Sequence, residues 1–372
     1  MNKIYLDNAS TTKPCKEVVE CMVESMENFY ANADSIHNLG LQVSQKIKDA
    51  KKVFSKFGLN KDRVFFTSGG GEANNILISA VAKKYKMGHI ISTPIEHPSV
   101  IETLNSLKNF KIDYINVDEY GRVDEKNLES LIREDTVLVT IAYVNSELGT
   151  VQDIEKLSKI VKSKNKNTYF HTDFVQGLGH IDVDFSKINI DAVSFSSHKI
   201  HGPKGMGAIY ISSNLKLDPV VYGSNSFNSF VPRTLPNELV LGFLKAISLI
   251  DYSDIEKLSK LKEYTIKRLE EISDIRINSP EKSSPAVLNF SCKNTKGEII
   301  MNYLSSEGIY VSTGSACSVK KGPSRVIKEL NIPSEYVDGV IRLSFCRYNT
   351  EKEIDIFIEK LKYIVNTIRS MA

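Results

Sequence analysis

The chain reads as an α/β protein, a large domain on a mostly parallel central sheet joined to a smaller α+β domain. Three observations predict this. From residue 60 to 210, strand-like runs, loops and helical runs alternate. That is the rhythm of βαβ units, which gather ligands at the carboxyl ends of their strands. Within it, Val137-Leu138-Val139-Thr140-Ile141-Ala142 is β-rich and almost continuously apolar, as a strand buried on both faces requires. Near the carboxyl end, shorter elements alternate: a strand over 287–291, a helix near 296–306, a strand over 309–311 and a last helix from 350. The 372 residues suffice for one large and one small domain.

The elements follow in order. Residues 4–6 read as a strand leading into a polar turn. Pro14 opens a helix whose apolar spacing puts Val18, Val19, Met22, Val23 and Met26 on one face. A helix over about 38–57 precedes a strand over 63–66. Thr67-Ser68-Gly69-Gly70-Gly71-Glu72-Ala73-Asn74-Asn75 follows, a glycine-rich turn that exposes backbone N–H groups at a helix start, where an anion binds well. It matches neither the Gly-x-Gly-x-x-Gly dinucleotide pattern nor a Walker loop. A strand over 89–93 runs into Pro94-Ile95-Glu96-His97-Pro98-Ser99, which places an acid–base residue on a loop. The apolar strand near 140 ends in Tyr143-Val144-Asn145-Ser146-Glu147-Leu148-Gly149. A tight turn and strand over 205–211 and one long charged helix over about 237–272, linking the domains, complete the reading.

Composition excludes several functions. The chain is 41% hydrophobic and 25% charged, with a formal net charge of +3. That balance is ordinary for a soluble protein and points to no direct nucleic-acid partner. Cys15, Cys21, Cys292, Cys317 and Cys346 are scattered without a Cys-x-x-Cys pair, which argues against a metal site and a disulfide framework. No apolar run is long enough to span a membrane and no secretory signal opens the chain. The expectation is a cytoplasmic protein with reduced thiols and no membrane contact.

Two stretches carry the chemistry. Ser194-Phe195-Ser196-Ser197-His198-Lys199-Ile200-His201-Gly202-Pro203 takes a short strand into a loop. A lysine at the mouth of a buried strand is costly unless paired or used, and a desolvated lysine is a nucleophile toward an aldehyde. Ser196, Ser197 and His198 offer hydrogen-bond donors for an anion such as a phosphate ester. Upstream, Thr168-Tyr169-Phe170-His171-Thr172-Asp173-Phe174-Val175-Gln176-Gly177 reads as a strand ending in a polar cluster. Asp173 precedes two apolar residues, an expensive place for a carboxylate without a cationic partner. A lysine that holds an aldehyde and an acid that pairs with a pyridinium nitrogen are the working parts of a pyridoxal 5′-phosphate (PLP) site.

With these motifs the chain resembles the cysteine desulfurases (NifS/IscS-like) of the class V aminotransferase group. The resemblance runs from Tyr5-Leu6-Asp7-Asn8-Ala9-Ser10-Thr11-Thr12 to Ile341-Arg342-Leu343-Ser344. It implies the fold-type I architecture of PLP-dependent transferases. The large PLP-binding domain would cover 14–255, and the small domain 1–13 with 256–372. It further implies that Lys199 holds the cofactor and Asp173 keeps its ring protonated, beside Gln176 and His198. His97 stacks on the ring and shuttles protons. Gly70, Gly71 and Ser196 belong to the phosphate end, Ser146 to the ring hydroxyl, and Thr234 reaches the phosphate across a homodimer interface. Asn32 and Arg342 hold the carboxylate of L-cysteine, and Lys199 or His97 moves its α-proton. Cys317, in Ser312-Thr313-Gly314-Ser315-Ala316-Cys317-Ser318-Val319-Lys320-Lys321-Gly322-Pro323, takes the sulfur as a persulfide. Its small neighbours suggest an exposed, mobile loop, and the lysines favour thiolate. Alanine is released, and the sulfur passes to an acceptor protein of the scaffold or tRNA-thiolation type.

The chain also departs from the family pattern. Ala33 stands for a proline, Gly71 for a threonine and Ser146 for an asparagine. Gly223-Ser224-Asn225-Ser226-Phe227 and Val231-Pro232-Arg233-Thr234 replace the usual motifs, and Cys346 replaces a glycine. Arg233 is placed to compensate electrostatically for Gly71. These departures keep two other readings open: a sister PLP activity such as selenocysteine lyase or an aminotransferase, and a scaffold of the same fold without catalysis.

Overall fold

The computed structural model describes residues 3–223, 226–314 and 322–371. The chain opens with β1 (Ile4–Tyr5), α1 (Lys16–Asn28) and α2 (Asn38–Ala50). The alternating part follows: β2 (Val64–Thr67), α3 (Gly70–Tyr85), β3 (Gly88–Ser92), α4 (Pro98–Asn105), β4 (Phe110–Tyr114), α5 (Glu125–Leu131), β5 (Thr136–Thr140), α6 (Ile154–Lys164), β6 (Tyr169–Asp173), β7 (Ala192–Ser196) and β8 (Gly207–Ile211). Then come α7 (Asn237–Ser248), α8 (Ser253–Leu269), β9 (Ile275–Ile277), β10 (Val287–Cys292), α9 (Gly297–Ser306), β11 (Ile309–Tyr310), α10 (Arg325–Glu329), α11 (Ser334–Val337), β12 (Val340–Ser344) and α12 (Glu351–Met371).

The central sheet has seven strands among the described residues, in the order β2-β8-β7-β6-β5-β3-β4. The pairs β7–β6, β6–β5, β5–β3 and β3–β4 are parallel, and β8 alone runs against its neighbours. The apolar run near 140 is β5, buried at every position. Helix starts follow from local chemistry. Asp124 accepts the N–H groups of Lys126 and Asn127 at the head of α5, and Asp153 accepts that of Lys156 at the head of α6. Each satisfies a donor that has no partner within the helix.

A second, antiparallel sheet runs β12-β10-β9, and β1 pairs in parallel with β11. Ile4 and Leu6 therefore share an apolar core with Leu258, Phe290, Leu343 and Phe357. The core around Phe54, Phe174, Phe195 and Phe243 draws on residues from Cys15 to Ile247.

Two expectations need correction. The single helix over 237–272 is two, because Asp251 turns its carboxylate to the Ser253 N–H at 2.9 Å and starts α8 afresh. The apolar face of α1 is split. Val18 is buried and Met22 partly so, whereas Val19, Val23 and Met26 are 47%, 47% and 54% exposed. Val19, Val23 and Met26 recur at helical spacing, so they form a second apolar stripe beside the buried one.

Candidate active site

The carboxyl ends of β2, β5, β6 and β7 surround a cavity of about 490 Å³. The position is where an open parallel sheet collects ligands. Lys199, Asp173, Gln176, His97, His198, Ser196, Ser146, Gly70, Gly71 and Arg342 all line it. Asn32 and Thr234 do not, and both are exposed. The Asn32 side chain accepts the Asp34 N–H at 2.9 Å within its own turn. Cys317 lies outside the described residues.

Lys199 follows β7 in a short 3-10 turn. Its Nζ donates to the carbonyls of Ala9 and Ser10, at 2.5 and 2.7 Å. Gln176 Nε2 donates to the same Ala9 carbonyl at 3.0 Å. The opening segment is thus drawn to the strand tips by two cavity side chains.

Asp173 ends β6 and is buried. Its carboxylate accepts Asn74 Nδ2 at 2.8 Å and the Val175 N–H at 2.9 Å. No lysine or arginine forms an ion pair with it among the described residues. Burial of a carboxylate without a cation is costly, so the position favours a cationic ligand group.

Ser68-Gly69 and the first turn of α3 form the cradle. A Cβ at Gly70 would lie 2.4 Å from Val175 Cγ2, so only glycine permits this approach. Gly71 has room, the nearest atom to a built Cβ being Ser99 Cβ at 3.6 Å. Ser196 Oγ is buried with no hydrogen-bond partner among the described residues. Glu72 folds back onto the Ser68 N–H at 2.5 Å, and Arg233 Nη2 holds both of its carboxylate oxygens at 2.7 Å. Arg233 is therefore spent on Glu72, and any compensation for Gly71 acts through that charge.

His97 caps α4, with its Nδ1 turned to Ser99. The residue is exposed toward the cavity, yet desolvation by the surrounding protein is the first cause that pushes its pKa down; Lys199 and Arg325 add to this and Asp173 opposes it. His198, held by Thr11 Oγ1 at 3.1 Å, is pushed down to about 4 by burial and then by Lys199. Both rings are neutral near pH 7.

Arg342, on β12, is almost fully buried. Nη2 donates to Asp7 Oδ1 at 2.7 Å and Ser10 Oγ at 2.8 Å, and Nη1 to the Ser146 carbonyl at 3.1 Å. Its Nε is buried without a partner among the described residues. The two stems that lead into residues 315–321 both meet Glu147. A Cβ at Gly314 would lie 3.2 Å from Glu147 Oε2, and Ser324 Oγ donates to that oxygen at 2.5 Å. Arg325 Nη2 donates to the Glu96 carbonyl, beside His97.

Sequence reasoning missed Asn74, Ser99, Glu96 and Glu147. A signal existed for Asn74, a polar residue within the apolar stretch Ala73 to Val81 of α3, where it is wholly buried. Glu96 has its carboxyl between Thr93 Oγ1 and the Ala142 N–H, and burial pushes its pKa up to about 7.

Fold and site together define an α/β enzyme that works through a bound aldehyde cofactor. The chain belongs to the class-V aminotransferase family, whose sequence pattern matches residues 4–357. It is 38% identical to the cysteine desulfurase IscS of Dictyoglomus turgidum, over 100% of this chain and 96% of that one. It is 36% identical to the cysteine desulfurase IscS of Methanosarcina thermophila, over 99% and 93%. A solved NifS-like protein superposes with a TM-score of 0.92 at 34% identity, covering 98% of this chain and 100% of that one.

The residues present fit PLP, the cofactor of this family. The buried carboxylate of Asp173 without a cation suits the ring nitrogen. The glycine cradle with the unpartnered Ser196 hydroxyl suits the phosphate, and Lys199 between them suits the aldehyde.

Proposed function

We propose that this chain is a PLP-dependent cysteine desulfurase that converts L-cysteine to L-alanine, with Cys317 carrying the sulfur to an acceptor protein. The observation that supports it most is the convergence of Lys199, Asp173 and Arg342 on one cavity; buried Glu147, next in the chain to the cavity-lining Ser146, is met by both stems of the Cys317 segment. PLP, when bound, withdraws electrons from the substrate's α-carbon. Lys199 anchors the cofactor, and its Nζ, released from the Ala9 and Ser10 carbonyls, takes and returns protons at the substrate's α-carbon. Asp173 holds the positive charge of the ring nitrogen. Arg342 offers a planar fork to the substrate carboxylate, held in place by Asp7. The Cys317 thiolate forms an S–S bond with the substrate sulfur as the Cβ–S bond breaks, and Cβ gains a proton. L-Alanine and a protein persulfide balance L-cysteine and a protein thiol.

The same reading divides the chain into a large domain over 14–255 and a small domain from 1–13 and 256–372. It makes the protein a cytoplasmic homodimer. Exposed Tyr30, Ile36, Leu39 and Leu41, close in sequence to Asn32, support a partner surface there. Thr234 reaches the phosphate from the second copy, which accords with its exposure away from its own cavity. No helix among the described residues is long and apolar enough to cross a membrane. Incubation of the purified protein with L-cysteine, with alanine and sulfane sulfur measured together, tests the activity. Gel filtration with light scattering tests the dimer.

A further inference from the structure

His97 Nδ1 has two hydrogen-bond partners on Ser99. The Ser99 backbone N–H reaches it at 3.1 Å, and Ser99 Oγ lies 2.8 Å away. Ser99 Oγ itself accepts Asn74 Nδ2 at 3.0 Å. The second hydrogen of that amide goes to Asp173 Oδ2 at 2.8 Å. A continuous chain therefore runs Asp173, Asn74, Ser99, His97.

The direction of each bond is fixed. A carboxylate only accepts, so Asn74 must turn its NH₂ toward Asp173. The flipped amide would set oxygen against oxygen. Asn74 Oδ1 is buried and unpartnered, and no competing donor turns the amide the other way. The Ser99 hydroxyl accepts from Asn74 and keeps its own hydrogen to donate onward. A backbone N–H only donates, so Ser99 N demands a lone pair on Nδ1, and the Ser99 hydroxyl then donates to the same atom. The neutral ring then carries its hydrogen on Nε2, the ring edge away from Ser99.

We propose that Asn74 and Ser99 are positioning residues that hold His97 as the Nε2–H tautomer, so that the ring presents a donor rather than a lone pair to the cavity. The arrangement is oriented by Asp173, and its catalytic meaning rests on the desulfurase reading given above. The charged and titratable groups facing the ring are Asp173, Lys199 and Arg325, with His198 across the cavity and Glu96 next in the chain. Two donors aimed at Nδ1 also oppose protonation, in the same sense as burial.

The test is two-bond proton–nitrogen NMR on holoenzyme labelled with ¹⁵N-histidine, the His97 signals being those lost in His97→Gln. The spectrum reads the tautomer without any turnover, and PLP absorbance of the same sample reads the cofactor assignment separately. The expected wild-type pattern is Nε2–H, with no titration at the ordinary histidine pKa. An Nδ1–H pattern overturns the proposal. In Ser99→Ala one donor is gone, and the His97 midpoint rises by roughly one pH unit, a tenfold change. In Asn74→Ala the Ser99 hydroxyl is free to accept, and an Nδ1–H population appears. Unchanged spectra in both variants overturn the positioning role, and the wild-type spectrum decides the tautomer even if Asn74→Ala does not fold.

Discussion

Arg233 closes on Glu72 with one nitrogen 2.7 Å from each carboxylate oxygen, one turn into the helix that starts the glycine cradle. Glu72 is the acidic residue of that first turn, and its carboxylate also holds the Ser68 N–H. The pair thus neutralises a negative charge beside the place proposed for a phosphate. Arg233→Ala should weaken PLP binding by about 1 kcal/mol, the size of a partly exposed ion pair, while Glu72→Gln with Arg233→Ala restores most of it. Fluorescence titration of the apoenzyme with PLP measures both.

Gly71 offers the complementary gain. A built Cβ meets nothing closer than 3.6 Å, so threonine enters without strain. Gly71→Thr should tighten PLP by about 0.5–1.5 kcal/mol through one added hydroxyl. Equal or weaker affinity in the same titration would show that another group already serves that phosphate oxygen.

How much of this was legible depends on period and burial. The run over 137–142 is apolar at every position but Thr140, and such a run has one reading in an alternating chain. Lys199 and Asp173 were legible because a charge next to buried strand residues needs a reason. The break at Asp251 was not, because helical periodicity continues through it and a three-residue capping contact overrides the pattern. Val18, Val19, Met22, Val23 and Met26 read as one apolar face, and that Val19, Val23 and Met26 stay exposed was not legible, because periodicity gives a face but not what covers it. The chain from Asp173 to His97 joins residues far apart in sequence, and only the strand order brings them together. Asn32 and Thr234 were placed by resemblance, and a single chain leaves both outside the cavity.

Glu96 gives a pH signature. Its folded pKa of about 7 lies above the ordinary carboxylate value, so between about pH 4.5 and 7 the folded state binds more protons than the unfolded chain. Its contribution to stability is full at low pH and is lost as pH rises through 7, falling by up to roughly 1.4 kcal/mol for each pH unit of that window. Glu96→Gln keeps an acceptor for Thr93 and Ala142 and removes that loss. Urea unfolding should show a flatter stability profile over this window, and a variant that keeps the wild-type slope would contradict the assignment.

Glu147 and Ser324 tie the exit of the Cys317 segment to the chain directly after the cavity-lining Ser146. Ser324→Ala should leave the PLP absorbance intact and lower the rate of persulfide formation on the protein. The lost bond to a charged acceptor is worth about 1.5–3 kcal/mol. Rapid-quench alkylation and mass spectrometry of the Cys317 peptide read that rate directly.

Arg342 supplies a binding test. Its fork is shared with Asp7, so Arg342→Lys keeps a charge and loses the planar geometry. Steady-state kinetics should show KM for L-cysteine raised at least about tenfold, the cost of one charged hydrogen bond, with a smaller change in kcat.

The central claim is that Lys199 and Cys317 act in one reaction on L-cysteine. The direct measurement is a single turnover of purified holoenzyme with L-cysteine, in which alanine and protein persulfide are counted together for the wild type, Lys199→Ala and Cys317→Ala. The wild type should yield equal amounts of alanine and persulfide, and Lys199→Ala neither product. Cys317→Ala should keep the cofactor colour and form no persulfide. Full sulfur transfer by Cys317→Ala, or cofactor trapped by borohydride on Lys199→Ala as in the wild type, would contradict the claim.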